Sequence, residues 1–289
     1  SMSPHLLALG AIALWATLAS LGVALTHVPP FLLTGLALLV GSLPAWPRWR
    51  EWRVSPAVLA LGVYGLFGFH FLLFMALRLA PPVEANLVNY LWPLFIVVLA
   101  PVIVPGMRLR TRHVLAAAAG FAGAGLAILG AAAAGPQSVA GPHPALDHAW
   151  LGYALALGSA LIWSTYSLAT RRLSAVGTHF PTAAIGAFCV VSGVLSLACH
   201  AAFEPRTALT LQDFGLIAVL GLGPLGAAFY LWDAALKRGD PRTLGVLGYA
   251  TPVASTIVLM LVTGRDFTWE IGAAIVLILG AAVVAMRER

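Results

Sequence analysis

Leu61–Pro93 reads LGVYGLFGFHFLLFMALRLAPPVEANLVNYLWP, and Leu220–Pro252 reads LGLGPLGAAFYLWDAALKRGDPRTLGVLGYATP, an ungapped repeat displaced by 159 positions. Across it Leu61/Leu220, Gly62/Gly221, Leu66/Leu225, Leu72/Leu231, Ala76/Ala235, Leu77/Leu236, Pro82/Pro241, Tyr90/Tyr249 and Pro93/Pro252 are identical, and Arg78 faces Lys237. A duplication inside an almost entirely apolar chain directs attention to the place where the two copies meet.

The 289 residues are 61% hydrophobic and 9% charged. Apolar runs of about twenty residues recur, each about one helical crossing of a bilayer, so the chain reads as an all-α polytopic membrane protein. The net charge of +6 does not indicate nucleic acid, because basic residues of such proteins gather in their cytoplasmic loops. Cys189 and Cys199 fall in one apolar run, and ten helical residues hold them about 15 Å apart, beyond disulfide reach; both read as core residues. Ser1 before Met2 reads as a leftover of expression. The first apolar run lacks a basic leader and is expected to be a retained span.

Runs bounded by Pro, Gly and charge clusters place ten spans near residues 5–25, 29–46, 56–79, 82–104, 112–133, 150–172, 179–202, 211–236, 240–264 and 268–287. With both termini inside, thirteen of the sixteen Lys and Arg fall on the cytoplasmic side, leaving Arg78, Arg206 and Arg265 outside. A miscounted span would scramble this split. Five spans per half is an odd number, so the second half enters from the opposite side and the repeat is inverted. The expected organisation is a first five-helix repeat over 1–134, an extracytoplasmic connector over 135–149 and a second five-helix repeat over 150–289, together one transmembrane domain. Leu14-Trp15-Ala16-Thr17 and Ile162-Trp163-Ser164-Thr165 are a further matching pair.

These features resemble the drug/metabolite transporter superfamily in its EamA branch, and within it the bacterial aromatic amino acid exporters. The resemblance is carried by the two inverted fives, by Trp15 and Trp163, and by Asn89-Tyr90-Leu91-Trp92-Pro93 and Tyr249-Ala250-Thr251-Pro252. It implies an inner-membrane exporter of aromatic and other amphiphilic amino acids, without cofactor and not an enzyme.

Residue spacing independently marks a candidate site. Counting 1.5 Å per helical residue from Pro81-Pro82 brings His70, Asn89, Tyr90 and Trp92 near mid-membrane. Asn86, Asn89, Tyr90 and Pro93 share one helical face, which is costly against lipid; it either lines a cavity or joins helices by hydrogen bonds. Ser159, Trp163, Tyr166 and Thr170 form a second such face. Trp46, Trp49, Trp52, Trp150, Trp232 and Trp269 sit at expected span ends, as an aromatic belt does; Trp15, Trp92 and Trp163 do not, and line a pocket or pack as core. His70 either is a neutral core residue or meets a substrate carboxylate and changes protonation. Asp233, four residues before Lys237, reads as an exposed interfacial ion pair.

Pro93 and Pro252 each deprive a carbonyl four residues earlier, on Asn89 and Gly248, of its donor. They are either static kinks or paired hinges, with Gly248 adding slack. The candidate substrate residues are therefore His70, Asn86, Asn89, Tyr90, Trp92, Trp15, Trp163, Tyr166 and Tyr249, and the candidate hinges Pro93, Pro252 and Gly248. The expectation is a monomer in the lipid bilayer that binds amino acids, with no nucleic acid, catalytic group or metal, working by alternating access around a midplane cavity. Export of drugs, other metabolites or nucleotide sugars is the alternative. Nucleotide sugars call for Lys or Arg within the spans, and a membrane-embedded enzyme calls for a clustered His, Asp or Glu set; the sequence has neither.

Overall fold

The structure, a computed structural model, describes residues 2–80, 82–134, 148–264 and 266–287. Pro81, Arg265 and residues 135–147 of the expected connector lie outside the described residues. In chain order the long helices are α1 (Pro4–Ala24), α2 (Pro30–Trp52), α3 (Pro56–Leu79), α4 (Ala85–Ile103), α5 (Thr111–Ala134), α6 (Ala149–Ala175), α7 (Thr182–Phe203), α8 (Leu211–Arg238), α9 (Pro241–Val262) and α10 (Trp269–Met286). All but α6 are both long and apolar enough to cross a membrane, nine among the described residues. The α6 helix has 27 residues, and its Ser159, Ser164, Ser167 and Thr170 are fully buried, so its polarity is turned into the protein.

Local chemistry starts and bends these helices. Proline occupies the first turn of α1, α2, α3 and α9, where its missing N–H would have had no partner. Ser3, Ser55 and Asp240 accept backbone N–H bonds as caps, and Thr210 and Asp213 form a reciprocal capping box on α8. α3 and α8 each contain one π-helical turn, over Tyr64–Gly68 and Gly223–Ala227. These two turns occupy the same five positions of the repeat. α4 and α9 are each broken, Pro82–Asn89 from Trp92–Ile103 and Pro241–Gly248 from Ala250–Thr263.

Helix packing follows the repeat. α2 packs on α7 and α5 on α10; α3 and α4 pack on α6, as α8 and α9 pack on α1; and α4 crosses α9. Adding five to each first-half helix number, and subtracting five in the second half, maps this set onto itself. Gly62 of α3 and its partner Gly221 of α8 stand at close approaches: a Cβ would lie 2.2 Å from the Phe188 ring of α7 at Gly62 and 2.5 Å from the Ala37 carbonyl of α2 at Gly221. Small residues there let whole helices touch.

The bundle has two distinct ends. At the end carrying the termini, Arg172 donates to the Ile103 carbonyl, Arg242 to that of Arg108 and Thr243 to that of Ala285. At the far end Glu204, its side chain fully buried, accepts from the Phe31 and Leu32 N–H groups and from Arg78, and His27 meets Asp213 at 2.8 Å. α6 runs from one to the other, with Gly152 against Ala80 and Arg172 at Ile103.

Two sequence expectations are corrected here. Trp232 is no belt residue: it is 1% exposed and packs on Trp15 and Trp92, with ring centroids 5.5 and 5.8 Å away. Asp233 is no surface ion pair either. It is buried and bonded to Lys237 and Thr182, and the Lys237 ammonium sits 4.1 Å from the centre of the Phe180 ring. Both stand near the C-terminal end of α8, but Trp15 and Trp92 cover the one and Thr182 and Lys237 enclose the other.

Candidate functional site

An aromatic wall forms where α1, α4, α6 and α8 converge. Trp15 meets Trp163 edge-on at 6.1 Å, Phe229 lies 6.2 Å from Trp15 and 5.8 Å from Trp163, and Phe69 lies 5.5 Å from Trp163. Such offset and edge contacts suit ring quadrupoles. The indole N–H of Trp15 donates to the Pro224 carbonyl at 3.0 Å, and that of Trp232 to Ser167 Oγ at 3.2 Å.

Both π-helical turns supply acceptors to this region, because a π turn displaces carbonyls from the regular ladder. In α8 the carbonyl is Pro224, taken by Trp15. In α3 it is Leu66, which lies 2.5 Å from His70 Nδ1. A carbonyl only accepts, so Nδ1 carries the proton, and Nε2 is the remaining polar atom of His70: an acceptor on the neutral ring, a donor on the protonated one.

Above this wall, on the side away from the termini, lies a cavity of about 510 Å³, within the range that small-molecule sites occupy. Of the sequence candidates, Trp15, His70, Asn86, Asn89, Tyr90, Trp92 and Trp163 line it. Tyr166 and Tyr249 do not. Tyr166 stands behind Trp163 at a centroid distance of 5.4 Å and fills the space over Gly65. Tyr249 is fully buried beside Gly120 and Phe121, and its hydroxyl accepts the Leu94 N–H at 3.2 Å, joining the break of α9 to that of α4.

The candidate hinge residues lie where α4 and α9 cross. A Cβ on Gly248 would stand 2.6 Å from the Trp92 ring, so Gly248 makes room for that indole. At each break one N–H reaches back only three residues, Leu91 to Val88 and Tyr249 to Val246. The cavity also takes Phe69 from α3, Thr34 from α2, Phe229 from α8, and Thr251 and Ser255 from α9. Among the described residues, no Lys, Arg, Asp or Glu lines the cavity, and no His, Cys, Asp and Glu group could hold a metal.

The model of the EamA-like transporter family matches residues 2–129 and 150–287. The chain belongs to that family. This EamA-like transporter is 41% identical over 294 aligned residues to the aromatic amino acid exporter YddG of Ancylobacter novellus, an alignment covering 98% of this chain and 96% of that protein. It is also similar to a protein of known crystal structure, 39% identical, with a TM-score of 0.87 over 99% of this chain and 98% of the other. The protein is thus a multi-pass membrane transporter and not an enzyme.

From α8 and α9 the sequence reading names Tyr249 alone as a substrate residue, whereas Phe229, Thr251 and Ser255 are among the side chains these helices bring to the transporter's cavity. The available signal was the mismatch of His70 with Phe229 and of Trp92 with Thr251 across the repeat. The π turns carry a fainter one, Gly65-x-x-Gly68 and Gly223-x-x-Gly226.

Proposed function

We propose that this transporter exports amino acids, aromatic and other amphiphilic ones, across a bacterial inner membrane by alternating access. The observation that carries the reading is a cavity lined by the Trp15, Trp92 and Trp163 indoles together with Asn86, Asn89 and Tyr90, with no charged side chain among its described lining residues. An amphiphilic solute has an apolar body for the first and a polar head for the second. Phosphorylated solutes find no cation among the described lining residues. The relative named an aromatic amino acid exporter supports the substrate class.

The framework of this reading is ten membrane crossings in two inverted five-helix repeats, 1–134 and 150–289, with both termini cytoplasmic. Its support is the matched π turns, the matched breaks, the self-mapping helix contacts and the distribution of Lys and Arg. α6 is then the tenth crossing; buried polar residues need not be apolar to cross. In this orientation the cavity lies in the outer half of the bundle. The Trp15, Trp92, Trp163 and Trp232 cluster, with the Arg172 and Arg242 bonds below it, closes the inner side. Opening inward breaks those bonds as the helix halves swing about Pro93 and Pro252.

Purified protein in liposomes, loaded with labelled Thr, Met, Phe or Trp, tests this. Protein-dependent release is expected, reduced in Trp163→Ala and His70→Ala. Absence of flux for all four amino acids overturns the substrate assignment. An imposed proton gradient shows whether His70 couples export to protons: stimulated flux that is lost in His70→Ala is the coupled outcome.

A further inference from the structure

The ten residues that end α2, Leu43–Trp52, are built unlike the α-helix before them. They form 3-10 turns with a non-helical bend at Arg48 (φ −109°, ψ 31°), directly after Pro47. Up to Ser42 the helix has 13 α-helical residues, a rise of about 20 Å. Leu43–Trp46 add about 8 Å more at the steeper 3-10 rise. Trp46 therefore stands about 28 Å from Pro30, close to the full depth of a hydrocarbon core. The chain beyond it lies at headgroup level, at the end of the bundle that carries the termini.

The bend seats part of this segment on the protein and leaves part exposed. Trp52 returns to within 4.8 Å of Trp46, ring centre to ring centre. A Cβ on Gly186 of α7 would lie 2.6 Å from both the Trp52 ring and the Ala45 methyl, so those two residues rest against α7. Arg48, Trp49, Arg50 and Arg53 are exposed, and so is Trp46. Three arginines stand there beside a single carboxylate, Glu51, which lies 3.7 Å from Arg48 with both side chains in the open. The Arg50 guanidinium sits 5.7 Å from the centre of the Trp49 ring. Arg53 has no ion-pair or hydrogen-bond partner among the described residues.

We propose that this turn is a binding surface for anionic phospholipid headgroups. Arg48, Arg50 and Arg53 meet the phosphates, and the half-exposed rings of Trp46 and Trp49 lie at the boundary between headgroups and acyl chains. Guanidinium groups pair with phosphate oxygens two bonds at a time, and each cation at an anionic membrane surface raises affinity about fivefold. Arginine beside tryptophan is the composition of elements that lie in the interface. The occupant is a lipid because a soluble anion would satisfy the arginines and leave both indoles uncovered. A headgroup with a choline offers the same phosphate but cancels its charge, so lipids of net negative charge are favoured. The surface is separate from the cavity and does not depend on which solute is carried.

The test titrates the purified full chain, in non-ionic detergent, with dioleoylphosphatidylglycerol or dioleoylphosphatidylcholine. Bound lipid is counted by native mass spectrometry, with thermal melts in parallel. Phosphatidylglycerol is expected to bind at least about tenfold more tightly than phosphatidylcholine and to raise the melting temperature, as any ligand of the folded state does. Arg48→Gln, Arg50→Gln and Arg53→Gln combined should weaken phosphatidylglycerol binding about a hundredfold, three steps of about fivefold each. The combined variant should melt as wild type without added lipid, since the side chains removed are exposed. Lysine at the same three positions should keep most of the binding. The control changes three other exposed cations at the same end, Arg108, Arg238 and Arg287, to Gln and should bind as wild type. Equal binding of the two lipids by the wild type overturns the proposal, as does an equal loss in the control or unchanged affinity in the first variant. A melting rise given equally by inorganic phosphate would make the ligand a free anion and overturn the lipid assignment.

Discussion

The two copies of the repeat share their backbone devices and differ in the side chains at the cavity. Each has a π turn at the same five positions and a proline after a broken first half-helix, and Gly62 and Gly221 stand at matched close contacts. Yet His70 stands opposite Phe229, Asn86 opposite Gly245, Asn89 opposite Gly248, and Trp92 opposite Thr251. Some of the differences compensate: the Trp92 ring occupies the space that a Cβ on Gly248 would fill. Backbone geometry is needed twice to build the frame, whereas the cavity needs each chemical group once, so the copies are free to diverge where they face it.

The largest difference lies in the paired cations. Lys237 is bonded to the buried Asp233, while Arg78, its repeat partner, is 37% exposed over Glu204, a carboxylate that also holds two backbone N–H groups. Removing one member of a buried pair strands the other, so Lys237→Met should cost about 3–5 kcal/mol of stability. Arg78→Met should cost about 1 kcal/mol. Unfolding in detergent compares them, and equal losses would break the contrast. Adding Asp233→Asn to Lys237→Met should recover much of the loss.

Gly248→Ala sharpens the comparison at the crossing. Its Cβ meets the Trp92 ring, and overpacking of this kind costs about 1–3 kcal/mol; combining it with Trp92→Leu should relieve the strain. Thermal melts of the three variants give the answer. A melt unaffected by Gly248→Ala would show that α9 moves aside without resistance.

The prolines test whether agreement between the copies means shared motion. Pro93→Ala and Pro252→Ala each restore a helical hydrogen bond and should slow export about tenfold, or about 1.4 kcal/mol of barrier, with tryptophan binding preserved. Equal losses from both are expected of paired hinges. Loss from one alone would leave the other a static kink.

The smallest expected effect is a pH dependence at the start of α9, where Asp240 stands at the position of Pro81 in the other copy. Burial raises the Asp240 carboxyl pKa, but the Arg242 side-chain and backbone hydrogen bonds and its charge together outweigh burial and hold it below the ordinary carboxylate value. A depressed folded pKa stabilises above the unfolded value, about 4, and that contribution is lost as pH falls through the folded value. Acid melts should therefore show a slightly smaller pH dependence in Asp240→Asn than in wild type, and an unchanged slope would refute the assignment.

Much of the cavity was legible in the sequence because depth and helical phase follow from counting residues at 1.5 Å and 100° each. That arithmetic brought His70, Asn89, Trp92 and Trp163 to one level. It misplaced Tyr166 and Tyr249, which share the phase but stand behind another ring or against a neighbouring helix. It also misread Trp232 and Asp233, since a place near a span end says nothing about which distant side chains cover it.

Chain chemistry alone determined the apolar helices, their proline starts, the repeat and the breaks at Pro93 and Pro252, because each follows from local backbone sterics and from the cost of exposing polar groups to lipid. Only the tertiary structure decided that the Leu66 and Pro224 carbonyls serve His70 and Trp15, and that Ser159 Oγ donates to the Asn89 amide oxygen. Those assignments depend on which donors and acceptors distant segments bring within about 3 Å of one another, a quantity that no local pattern contains.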